Sequence, residues 1–152
     1  MNFVAGLHLI GMGLQKSSTE LHRDKLWKIL KSESSQVKRQ LVESYRLTEI
    51  QEGFFEAEGE YQLTVGEGDL LGLEIHCSFE VHMHTASSEV DHAMAERFAK
   101  QDLRFVLLPY ARQFVTDMTG QMQIPPIILP LATATGQARP KKSRAVKGGR
   151  TD

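Results

Sequence analysis

Two segments of strict two-residue alternation, joined by a short glycine-containing turn, restrict this chain more than anything else in it. In "FFEAEGEYQLTV" (54–65), Phe55, Ala57, Tyr61, Leu63 and Val65 fall on one side and Glu56, Glu58, Glu60, Gln62 and Thr64 on the other. In "LEIHCSFEVHMHT" (73–85), Ile75, Cys77, Phe79, Val81 and Met83 oppose Glu74, His76, Ser78, Glu80, His82 and His84. Side chains of a strand alternate between faces, so each segment reads as a strand with one buried and one wet face. The intervening "GEGDLLG" offers Gly66, Gly68 and Asp69 for a tight turn, which makes the pair an antiparallel hairpin.

Two further strands precede it. "FVAGLHLIGMGLQKSSTEL" (3–21) is rich in Val, Leu and Ile, and its three glycines predict bulges or close backbone approach. "RQLVESYRLTE" (39–49) places Leu41, Tyr45 and Leu47 on one face. Between them "DKLWKILK" (24–31) spaces Leu26, Ile29 and Leu30 as a short helical insertion does.

The pattern then changes period. Ser88, with Asp91 three residues on, reads as a helix cap before "VDHAMAERFAK". In "DLRFVLLPYARQFVTDMTG", Phe105, Leu108, Ala111, Val115 and Met118 recur at spacings of three and four, widened by Leu107, Phe114 and Met122. Pro109 lacks an N–H and is expected in the first turn of the second helical stretch, with Gly120 just past its end. The expected fold class is α+β: a four-stranded antiparallel sheet with a long C-terminal helix packed on one face and a wet, acidic second face.

At 152 residues the chain is one domain by economy, expected over 1–135. From 136 to 152 it carries six Lys and Arg against Asp152, so the preceding part is acidic by six charges; the basic tail is expected to be solvated and mobile. It has no aromatic residue for base stacking, and with an acidic domain ahead of it no nucleic-acid partner is expected. The lone Cys77 excludes a disulfide framework and fits a reducing, cytoplasmic setting. No apolar run is long enough to cross a membrane, and no leader with a cleavage site is recognisable.

Chemistry is sparse. No phosphate-cradling glycine loop, paired-cysteine zinc signature or nucleophile elbow occurs. His76, His82 and His84 share a strand face with Glu80, which reads either as a solvated face or as a metal site. The acids Glu56, Glu58, Glu60, Glu74 and Glu80 likewise read either as a solubilising surface or as a dock for a basic partner.

The stretch "LPYARQFVTDMTGQMQIPPIIL" (108–129) resembles the C-terminal signature of the SecB-like chaperones, and the order of four strands followed by this helix agrees over roughly 3–131. The resemblance implies an ATP-independent, cofactor-free holdase rather than an enzyme. It also implies a dimer of dimers with helices between sheet pairs, which gives Phe105, Tyr110, Phe114 and Met118 an oligomer role. Unfolded clients would lie in apolar grooves, here Leu41, Tyr45 and Leu47 with Ile124, Ile127 and Leu129 of the helix exit. Of the two services known for such proteins, export with the SecA motor and protection of an antitoxin, the wording of this stretch is closer to the second. Glu74 and Glu20 match the acidic contacts to the motor, within an acidic dock that also takes in Glu56 and Glu58. Lys16 stands where export members tend to be acidic, and the small, basic end after Leu131 departs from their final helix.

Overall fold

The structure, a computed structural model, describes residues 7–32, 37–86, 89–125, 127 and 129. Strand β1 (Leu7–Leu21) leads into helix α1 (Arg23–Lys31), and β2 (Val37–Gln51), β3 (Phe54–Glu67) and β4 (Leu70–Thr85) follow. Helix α2 (His92–Arg97) then passes through a π-helical turn, Phe98–Asp102, into helix α3 (Leu103–Gln121). All four strands form one antiparallel sheet in the order β1-β4-β3-β2. No helix among the described residues is long and apolar enough to cross a membrane.

The hairpin is where the alternation places it. Phe55, Ala57, Tyr61, Leu63 and Val65 are buried, as are Ile75, Cys77, Phe79, Val81 and Met83. Gly68 turns the chain at φ +57°, a conformation that any Cβ would resist. Partners across the ladder share a face, so these two strands lay one continuous apolar floor. β1 carries register shifts between Leu9 and Gly11 and between Leu14 and Lys16, the bulges its glycines predict. β2 is longer at both ends than expected, 37–51 against 39–49.

Above the floor lie two apolar clusters. One joins Phe55, Tyr61, Phe79 and Val81 to Ala95, Phe98, Leu103, Leu107 and Ala111 of the helical layer. The other joins Leu63, Val65, Leu73 and Ile75 to Leu26 and Ile29 of α1, Val115 of α3, and Ile124 and Leu129 beyond it.

Three expectations about the helices are corrected. Asp91 is the cap of α2, its carboxylate accepting from the Ala93 amide at 3.0 Å, while Ser88 lies outside the described residues. Pro109 sits in the interior of α3, not in the first turn of a helix. It withdraws the amide that the Phe105 carbonyl would receive, yet buried Leu107, Leu108 and Ala111 on either side hold the helix to the sheet. Finally, Gly120 is still helical and the left-handed residue that stops the helix is Gln123, φ 55°. Gln123 N donates to Gly120 O at 3.0 Å and Ile124 N to Thr119 O at 3.4 Å, the paired bonds of a Schellman ending.

Candidate functional site

β2 is an edge strand, paired with β3 and with no second strand among the described residues. Its inward row is Leu41, Glu43, Tyr45 and Leu47, which the register sets opposite Leu63, Tyr61, Gly59 and Ala57. The helical layer covers β3 and β4 fully and β2 only in part. Leu41, Tyr45, Leu47 and Ile50 are therefore half-buried, packed on the first cluster with one side open.

Gly59 sets how closely the helix approaches. A Cβ there would meet Leu107 Cδ1 at 2.6 Å and the Tyr45 ring at 3.1 Å, so the bare backbone admits both. Tyr45 meets Tyr61 edge to face with ring centroids 5.8 Å apart, and the two hydroxyls are hydrogen-bonded at 2.9 Å. The Tyr45 hydroxyl also donates to Glu43 Oε1 at 3.3 Å, and Arg104 of α3 donates to the same carboxylate at 3.2 Å. Burial, ahead of the neighbouring groups, raises both phenols well above the ordinary tyrosine range, so they remain neutral donors. This polar strut fixes α3 over β2 while leaving the apolar side chains beside it accessible. At the end of the strand a cleft of about 260 Å³ opens between Leu47, Thr48, Glu49 and Ile50 on one side and His92 and Glu96 of α2 on the other.

The exit of α3 behaves differently from expectation. Ile124 and Leu129 are buried, 6% and 2% exposed, in the second cluster, so these two are corrected from accessible to packed; Ile127 is half-buried against the same cluster. The cause is Thr119. Its buried hydroxyl donates to Val115 O at 2.9 Å and accepts from the Ile127 amide at 3.2 Å, which folds the proline-broken segment back onto the domain. Leu41 touches both clusters and so lies between the open row on β2 and this packed segment.

The predicted acidic dock resolves into separate pieces. Glu20 and Glu74 are register partners across β1 and β4, Glu20 paired with His22 at 2.7 Å and Glu74 accepting from Gln62 at 3.1 Å. Glu58, by contrast, is 8% exposed and neutralised by Arg46 at 2.7 Å, so it offers no free charge. Glu56 stands at the far end of the sheet beside His82 and Glu80. These last three could hold a metal ion; the trio His76, His82 and His84 does not assemble, because His76 pairs with Glu60 at 3.3 Å and His84 points to solvent. Of the residues given an oligomer role, Phe105 and Tyr110 are exposed, whereas Phe114 and Met118 are half-buried on the core, Phe114 lying 6.3 Å from Phe79 edge to face.

Sequence reasoning missed Glu43, Arg104, Gly59 and Thr119. It also missed Leu9 and Leu14, which share a face with buried Met83 and Phe79 on the edge strand β1 yet remain about half exposed. The glycine was visible within an alternating run; the Glu43–Arg104 bond spans 61 residues, the Thr119 bond to Ile127 depends on how the helix exit folds back, and Leu9 and Leu14 depend on the sheet order.

No family model matches this sequence, and no curated protein matches it. Among solved structures the chain is similar to the SecB-like chaperone of Mycobacterium tuberculosis, determined in complex with a ChAD peptide from the HigA1 antitoxin. The TM-score is 0.66 with 19% identity, covering 84% of this chain and 92% of that one. A protein of unknown function from Streptococcus agalactiae aligns at TM-score 0.49 and 8% identity over 82% of this chain and 97% of that one. The chain thus has the SecB-like fold: a four-stranded antiparallel sheet under one long C-terminal helix.

Proposed function

We propose that this protein is an ATP-independent holdase that binds unfolded or aggregation-prone polypeptides along β2, and that its client is an antitoxin-type segment. The observation that carries the reading is the half-covered apolar row Leu41, Tyr45 and Leu47 on an edge strand of the SecB-like fold. The structural neighbour was solved with an antitoxin peptide, which supports a peptide client in a toxin-antitoxin setting. An extended client placed along this edge gains apolar burial at about 25 cal/mol per Å², offset by the entropy of ordering it, so many weak contacts give affinity with little sequence preference.

The assembly we infer is a cytoplasmic homotetramer, a dimer of dimers in which exposed Phe105 and Tyr110 face a partner subunit. Several grooves on one particle would then add avidity for a long client. Export service is the second reading, favoured by one observation: Glu20 and Glu74 lie side by side, where the SecA motor would dock. Aggregation of a chemically unfolded client, followed by light scattering without nucleotide, tests the holdase reading. Suppression at near-stoichiometric ratio is expected; full aggregation in the presence of excess protein would refute it.

A further inference from the structure

The outer face of the sheet, away from the groove, gathers three ligand-bearing side chains. Glu56 of β3 and His82 of β4 are register partners, and Glu80, two residues before His82, projects from the same face. One carboxylate oxygen from each glutamate and one imidazole nitrogen lie within 4.8 Å of one another, and His82 Nδ1 stands 2.9 Å from Glu56 Oε1. An ordinary ion pair needs one carboxylate for one imidazole. Here a second carboxylate, that of Glu80, is brought to the same point.

The surroundings suit an ion. β1 sets Gly11 opposite His82 and Gly13 opposite Glu80, and a Cβ built on either glycine meets nothing within 4 Å, so the edge beside the ligands is open to water. Gln15 donates its side-chain amide to Glu80 Oε2 and orients that carboxylate, as outer-shell partners of metal ligands do. Because the ligands stand on two fully paired strands, little backbone freedom is lost on binding.

We propose that Glu56, Glu80 and His82 form a binding site for one divalent transition-metal ion of the zinc type, with water completing the coordination. The imidazole nitrogen favours zinc, cobalt, nickel or copper over magnesium and calcium, which select all-oxygen sites. The ion takes the His82 nitrogen from Glu56 and draws both carboxylates to itself. It adds two positive charges to an acidic sheet face while leaving the β2 groove untouched.

The test is titration of the full chain with zinc by calorimetry, repeated with cobalt by absorption spectroscopy, alongside His82→Ala, Gln15→Ala and the double variant Glu56→Gln with Glu80→Gln. One ion per chain is expected, with affinity reduced at least about tenfold by His82→Ala or by the double variant and measurably by Gln15→Ala. His84→Ala and His76→Ala should bind as the parent does. The His82 ring resonances of the folded parent should shift on zinc addition, a readout that does not depend on any variant folding. Absence of saturable binding, retention of full affinity in His82→Ala, or unmoved His82 resonances on saturation would overturn the assignment.

Discussion

The hydroxyls of Tyr45 and Tyr61 meet at 2.9 Å beneath α3, and through Glu43 they link the edge strand β2 to Arg104 of the helix. Tyr61→Phe leaves the Tyr45 hydroxyl its bond to Glu43 and removes one partly buried bond. The expected cost is about 1 kcal/mol of stability, read as a lowered urea midpoint with an unchanged slope.

Gly59 is the contact point between helix and sheet. Gly59→Ala places a methyl 2.6 Å from Leu107 Cδ1, and the expected destabilisation is about 1–3 kcal/mol. Combining it with Leu107→Ala should cost less than the sum of the two single changes, because the deletion makes room for the addition. Strict additivity in thermal or urea unfolding would show that the two positions do not meet.

Thr119→Val keeps the shape of a buried side chain but leaves the Ile127 amide without its acceptor. A loss of about 1–3 kcal/mol is expected, concentrated in the helix exit. Limited proteolysis should then cut between 122 and 130 faster than in the parent, with the sheet still protected from hydrogen exchange.

Burial pushes the Cys77 thiol from 9.0 up to about 12. The folded form therefore keeps the proton that the unfolded chain begins to lose near pH 9. The stability this group confers is full below that pH and is lost as pH rises toward about 12, with a slope of at most about 1.4 kcal/mol per pH unit. Iodoacetamide at pH 8 should label the native protein far more slowly than the urea-unfolded chain; equal rates would contradict the burial.

How much of this was legible beforehand depends on how local each signal is. The alternation of Phe55 to Val65 and Ile75 to Met83 is a property of neighbouring residues, and it placed the hairpin and its buried face correctly. The strand order β1-β4-β3-β2 is a property of pairing between distant segments. Without it, neither the open side of Leu41, Tyr45 and Leu47 nor the exposure of Leu9 and Leu14 can be foreseen. Pro109 and Gly120 carry strong local rules, and both were overridden by packing: buried Leu107 and Leu108 carry the helix past the proline, and the bonds of Gln123 and Ile124 end it after the glycine. The same tertiary forces draw Ile124 and Leu129 inward, where the family resemblance had implied an accessible groove lining.

The central claim is that the apolar row on β2 receives clients, and the binding of a fluorescently labelled, permanently unfolded polypeptide, measured by anisotropy without nucleotide, tests it most directly. Leu41→Ser combined with Leu47→Ser should weaken binding at least about tenfold, since losing part of two apolar contacts is worth about 1.4 kcal/mol or more, while circular dichroism stays that of the parent. Affinity equal to the parent's in that folded double variant would contradict the account.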